Sequence, residues 1–206
     1  MSLSPSTKEL VRFGAPVTLR DGSLIRLRPG HSSDRDLLVR GFERLSPESR
    51  YRRFLTPVSE LTEHEVSYLT QIDHHNHEAI VALDEETGEG IGVARYIRDP
   101  KQPKEAEAAV AVIDAWQGKG VGTLLLEVLG ARARAEGIRT FTALVLATNR
   151  KMLDVLEALG PTRVVDREVG TVELEMAIPN IGLSSTLRKL LRVCAQSSSS
   201  ESPANR

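Results

Sequence analysis

The segment Trp116-Gln117-Gly118-Lys119-Gly120-Val121-Gly122-Thr123 joins an apolar run to an amphipathic one through three alternating glycines. Upstream, Glu105 to Ile113 reads as a strand. Downstream, Thr123 to Ala135 reads as a helix with Leu125, Val128 and Leu129 as its apolar stripe and Gly137 as its stop. A strand that turns through glycines into a helix commits the chain to a layered α/β fold. The same loop suits an anion. Glycines let a ligand approach the backbone, and the start of a helix offers unpaired N–H groups and the positive end of its dipole, a fit for a pyrophosphate. It is not a Walker A loop, because Lys119 precedes Gly120, and it is not GxGxxG, because Leu125 stands where a third glycine would be. A glycine-rich turn of this kind can also be purely structural.

The rest of the chain alternates in the same way. Val17 to Arg20 and Leu24 to Arg28 flank Asp21-Gly22, which predicts a hairpin closed by a type I′ turn. Ser33 is the expected cap of a helix carrying Leu38, Phe42 and Leu45; Ser46-Pro47 opens a second, and the capping box Thr62 to Glu65 a third. Strands follow at 79–83 and 91–97, then the strand and helix around the glycine loop, a strand at Phe141 to Ala147, a helix at Asn149 to Leu159, and a final hairpin from 163–167 and 171–178. The expected order is β-β-α-α-α-β-β-β-α-β-α-β-β.

Composition narrows the function. With 27 basic and 28 acidic residues the net charge is −1, so a nucleic-acid partner is not expected. One cysteine excludes a disulfide framework, and no apolar stretch approaches the roughly eighteen residues of a membrane span. The first twenty residues lack an apolar core of signal-peptide type, so a cytoplasmic location is expected. Residues 1–15 read as a flexible segment, 16–179 as the domain, and 180–206 as a tail. In the tail, the spacing of Leu187, Leu190, Leu191 and Cys194 predicts a short amphipathic helix, capped by Ser184 or Ser185 and expected to dock on the domain, with a partner-binding or membrane-surface helix as the alternatives, before a Ser-rich end expected to be disordered.

Gln117-x-x-Gly120-x-Gly122, with Asn149 after the next strand, resembles the acyl-CoA loop of the GNAT N-acetyltransferases. The segments 45–54 (Leu-Ser-Pro-Glu-Ser-Arg-Tyr-Arg-Arg-Phe), Gly92-Val-Ala-Arg-Tyr96 and Ala106-Glu107 before Trp116 look like the bacterial Pat-type protein lysine acetyltransferases. The resemblance implies a GNAT fold, a mixed and mostly antiparallel sheet flanked by helices. It implies acetyl-CoA as co-substrate, no metal, and a protein partner presenting a lysine, with acyl-CoA synthetases as typical targets. It places Ala111, Val112 and Ile113 along the pantetheine arm and Gln117, Gly118, Lys119, Gly120, Val121, Gly122 and Thr123 around the pyrophosphate, with Asn149 beside the cofactor. An oxyanion donor would be a backbone N–H near Ala111 or Val112. Acetylation of a small amine or an N-terminus, and a non-catalytic acyl-CoA sensor, are the alternatives. Oligomeric state is open.

Acyl transfer to lysine needs a base, because the amine has a pKa near ~10.4. Glu107 sits mid-strand before the loop, where partial burial would raise its pKa, and the resemblance places the base there too. Alternation puts Glu105 on the same face, as the rival base. The chain departs from many family members in having no Tyr between Asn149 and Gly160, but a thiol leaving group of pKa near ~8.5 needs little acid help. Arg50, Arg52 and Arg53 read as a solvated helix face, with steering of an acidic protein substrate as the alternative, Trp116 as a packing residue, and His74-His75-Asn76-His77 as an exposed loop near the substrate groove.

Overall fold

A computed structural model describes residues 14–179. The expectations for the tail helix and the Ser-rich end lie outside the described residues. Eight strands form one sheet in the order β1-β2-β3-β4-β5-β6-β8-β7. They are β1 (Ala15–Thr18), β2 (Leu24–Pro29), β3 (His77–Asp84), β4 (Gly90–Arg98), β5 (Glu105–Val112), β6 (Thr140–Leu146), β7 (Thr162–Glu168) and β8 (Thr171–Ala177). Every neighbouring pair is antiparallel except β5 with β6, which is parallel. Among the described residues, five α-helices flank the sheet: α1 (Arg35–Glu43), α2 (Pro47–Phe54), α3 (Glu63–Thr70), α4 (Val121–Ala135) and α5 (Arg150–Leu159). The element order and the mixed, mostly antiparallel sheet agree with the sequence reading.

Three local expectations are corrected. The first hairpin forms, but only Gly22, and not Asp21, has positive φ. Gly22 N–H donates to Leu19 O and Leu19 N–H to Ser23 O, so a three-residue loop ending in a left-handed glycine replaces the type I′ turn. Ser33 does not cap α1. His31 caps a 3₁₀ turn at Ser32–Asp34, where its Nδ1 accepts from Ser33 N–H, and α1 begins after it. Ala15, expected in the flexible segment, is fully buried and starts β1.

The sheet has two differently dressed faces. Gly92 of β4 lacks a side chain where a Cβ would lie 3.1 Å from Leu125 of α4, so its face is the one under α4. Buried Ala106 and Ala108 share that core with Leu125 and Leu129. The opposite face, with Val81, Val93, Arg95 and Ala111, lies under α1, α2 and α3 as far as β5. Alternation then places Glu105, Glu107, Thr142 and Glu173 on this second face, over the half of the sheet the helices leave open.

A buried ion network ties α4 to β3. Arg132 and Glu78 are both fully buried, with Arg132 Nε 3.0 Å from Glu78, and His74 Nδ1 lies 2.8 Å from the other Glu78 oxygen. Arg132 also pairs with Glu136, which His75 approaches from the loop. The histidine run is therefore only in part an exposed loop: His75 and Asn76 are exposed, while His74 and His77 are buried within polar contacts.

Candidate active site

β5 and β6 pair only at Glu105–Thr140, Ala106–Phe141 and Glu107–Thr142, then separate. The separation frees a strand edge. Ile113 N–H donates to Ile91 O of the β4 side, so alternation points the amides of Ala109 and Ala111 at β4 and those of Val110 and Val112 into the gap. The gap is a cleft of about 490 Å³. Its walls include Val110, Ala111 and Val112 of β5, Trp116, Gln117, Gly118 and Gly120 of the loop, the start of α4, and Asn149, Met152 and Val155 at α5.

The loop leaves donors for a ligand. Gly118 and Gly120 have φ of +77° and +88°, a region that side chains rarely adopt. Gly120 is the N-cap of α4 with no side-chain cap, and the first helical bond is Leu124 N–H to Gly120 O. The N–H groups of Val121, Gly122 and Thr123 have no intrahelical acceptor. Gln117 steadies the loop by donating from Nε2 to Val112 O and to Ser49 Oγ, both at 3.0 Å. Asp114 accepts from Ser46 N–H and from the Ser46 and Ser49 hydroxyls. Burial works against ionisation of Asp114, but these hydrogen bonds outweigh it and hold its carboxyl below the ordinary Asp range. The α2 N-terminus and the glycine loop are thus fastened together.

Of the expected binding residues, Ala111, Val112, Gln117, Gly118, Gly120, Gly122, Thr123 and Asn149 line the cleft. Asn149 caps α5 by accepting from Met152 N–H, which leaves its amide nitrogen free to turn to the cleft. Two of the others lie apart from the cleft, and Val121 turns only its side chain away, its amide staying open at the helix start. Ile113 is buried in the core with its amide bonded to β4. Lys119 is drawn away, 3.1 Å from Asp21 and 4.8 Å above the Trp116 ring. That ion pair, after the Ser23 N–H bond, brings the Asp21 carboxyl down to about 2. The oxyanion expectation shifts too: the Ala111 amide belongs to the β4 ladder, so the amides open to the cleft are those of Val110 and Val112.

Glu107 is exposed, against the expected partial burial, because the helices stop short of it. It lines a separate solvent-facing groove of about 280 Å³ with Thr142, Asp166, Glu168 and Glu173. Asp166 stands directly opposite Glu173 in the ladder, a like-charge pair that a cation would relieve. Arg53 is not part of a solvated face, unlike Arg52, which pairs with Glu48. Arg50 bonds the carbonyls of Leu45, Glu43 and Ser59 and covers Phe42. Arg53 is turned inward, lines the cleft, and feels the Glu107 charge. Val110 and Arg53 escaped the sequence reading; strand alternation could have found Val110, but nothing local marks Arg53.

A sheet split between its central strands, with a glycine loop and an uncapped helix start at the split, defines an acyl-CoA-type transferase scaffold. The chain belongs to the acetyltransferase (GNAT) family, matched over residues 42–160. It is of Pat type. It is 32% identical over 166 residues to acetyltransferase Pat of Mycolicibacterium smegmatis, covering 81% of this chain and 49% of that protein. It is 34% identical over 145 residues to acetyltransferase PA5475 of Pseudomonas aeruginosa, covering 69% of this chain and 77% of the relative. The GNAT domain of S. lividans PAT superposes with a TM-score of 0.74 at 37% identity, covering 80% of this chain and 96% of that one. The chain thus spans about half the length of the Mycolicibacterium protein. Among the described residues, no helix is long and apolar enough to cross a membrane.

Proposed function

We propose that this chain transfers the acetyl group of acetyl-CoA to lysine side chains of protein substrates in the cytoplasm. The observation that carries the reading is the position of Glu107. It stands on the last β5 residue paired to β6, between the acyl-CoA cleft and an open groove whose charged residues are acidic. An open acidic groove suits a cationic lysine on a large partner better than it suits a small amine, which an enclosed pocket would hold. Family membership weighs against a non-catalytic sensor.

The residues divide the work. The amides of Val121, Gly122 and Thr123 hold the pyrophosphate. The free edge at Val110 and Val112 takes the pantetheine as an added strand, and one of these N–H groups donates to the oxygen that becomes negative as the amine adds. Glu107 accepts the ammonium proton. It lies three residues upstream of Val110, about 10 Å along the strand, so the proton passes through water. The amine then attacks directly and the thiolate leaves. α5 faces the cleft with Met152 and Val155, and no tyrosine assists that departure.

Incubating the chain with acetyl-CoA and a cell lysate, then mapping acetylated lysines by mass spectrometry, tests the reading. Time-dependent acetylation at a limited set of lysines supports it. Acetylation of free amines or N-termini with none on lysine overturns it.

A further inference from the structure

A second pocket, about 100 Å³, lies between the sheet and α1, α2 and α3. Leu45, Arg53 and Ala111 line both it and the acyl-CoA cleft, so the pocket begins where the cleft ends. Its walls are mostly apolar, including Phe42, Phe54 and Val93. Against them stand two guanidiniums. Arg95 is 6% exposed and donates to Leu69 O at 3.1 Å, with His77 Nε2 at 3.4 Å. Arg53 makes no hydrogen bond to a described residue and lies 5.0 Å from the Phe54 ring. Among the described residues, no carboxylate lies within ion-pair distance of either. Asp34, the acid in the pocket wall, is taken by Arg28 at 2.6 Å. Burial, and then the neighbouring Arg53 charge, push Arg95 down to about 9. A buried guanidinium beside a half-buried one, with the exposed Glu107 charge acting on Arg53 alone, is costly, and the cost falls when an anion enters between them.

We propose that this pocket receives the terminal carboxylate of a dicarboxylic acyl-CoA, so that the chain also transfers short acidic acyl groups such as succinyl. The size agrees. The pocket holds the volume of about three waters, room for a methylene and a carboxylate but not for a peptide. The inference rests on the assignment of the cleft to acetyl-CoA. The reaction balances as for acetyl: the amine nitrogen forms the amide bond, the thioester C–S bond breaks, the thiolate leaves and is protonated, and the ammonium proton passes to Glu107 and water. The distal carboxylate stays intact, and its role is to bind between Arg53 and Arg95.

The test compares succinyl-CoA with butyryl-CoA, a neutral chain of similar length, and with acetyl-CoA on a lysine peptide. The expected result is at least a tenfold preference for succinyl over butyryl in kcat/KM. In Arg95→Met, which keeps the apolar bulk, the succinyl-to-acetyl ratio falls at least tenfold, and Arg95→Lys recovers part of it. Acetyl transfer with butyryl equal to or better than succinyl overturns the inference and leaves the acetyltransferase reading standing. If no thioester is used, the acetyltransferase reading fails, and calorimetry decides the pocket. Succinyl-CoA binding no tighter than butyryl-CoA overturns the inference, and tighter binding lost in Arg95→Met upholds it.

Discussion

The two cavities that meet at Ala111 are built from different materials. The cleft proposed for acyl-CoA is made of backbone: a strand edge freed by the β5–β6 split, two left-handed glycines and an uncapped helix start. The pocket beside it is made of side chains carried in from distant elements, Arg53 from α2 and Arg95 from β4, against an apolar wall. A backbone site depends on what is absent, a Cβ or a pairing partner. A side-chain site depends on what the tertiary fold delivers. Substitutions should therefore act by obstruction in the first and by lost chemistry around the second.

The largest effect is expected on the chemical side. Glu107→Gln should keep acetyl-CoA affinity and lower kcat by about two to four orders of magnitude, the range for a general base. Glu105→Gln, on the same face two residues earlier, should change the rate little. The reverse outcome in steady-state kinetics would move the base to Glu105.

Obstruction comes next. Gly122 is inside α4 without positive φ, and a Cβ there would meet only Val112, at 3.7 Å. Gly122→Leu should fold normally by circular dichroism and lose acetyl-CoA affinity at least tenfold by calorimetry, about 1.4 kcal/mol. Gly120→Val is a less clean probe, because a β-branched residue at φ +88° strains the backbone as well. Unchanged affinity in a folded Gly122→Leu protein would remove the pyrophosphate from this helix start.

The same contrast explains what the sequence disclosed. Glycine spacing, Asp-Gly and apolar periodicity are local signals, and they located the strands, the helices, the glycine loop and Asn149. At the site the failures were tertiary, whereas the turn type at Gly22 and the cap at His31 were missed on local geometry. Nothing in the sequence near Lys119 shows that Asp21 of the first hairpin draws it out of the loop. Glu107 was expected to be partly buried because its neighbours are alanines, yet those alanines face α4 and the glutamate faces the uncovered half of the sheet. Arg53 shares helix turns with Arg50 and Arg52, and what distinguishes it is the cleft and pocket it lines.

Smaller effects concern the fastening between the regions. Asp114→Asn should destabilise the domain by about 1 kcal/mol at pH 7, since the bonds are partly exposed. Its folded-state pKa is lowered, so the stabilisation is complete above the ordinary Asp value and is lost as pH falls through the lowered one. Denaturant curves of wild type and variant should therefore draw together as pH falls below the ordinary Asp range and through the lowered folded-state value. Curves that stay separated there would assign the effect to packing. On the open groove, Glu173→Lys should reduce kcat/KM for lysine peptides with basic neighbours about twofold to fivefold, and less at high salt. Equal loss on peptides with acidic neighbours would show that the groove does not read charge.

The central claim is that the edge freed by the β5–β6 split is where acetyl-CoA binds. Amide hydrogen exchange followed residue by residue by NMR, with and without acetyl-CoA, tests it most directly. The amides of Val110 and Val112, and those of Val121 to Thr123, should slow on binding. The amides of Ala109 and Ala111, already bonded to β4, should be slow in both states. Acetyl-CoA that binds while Val110 and Val112 exchange unchanged would contradict the account.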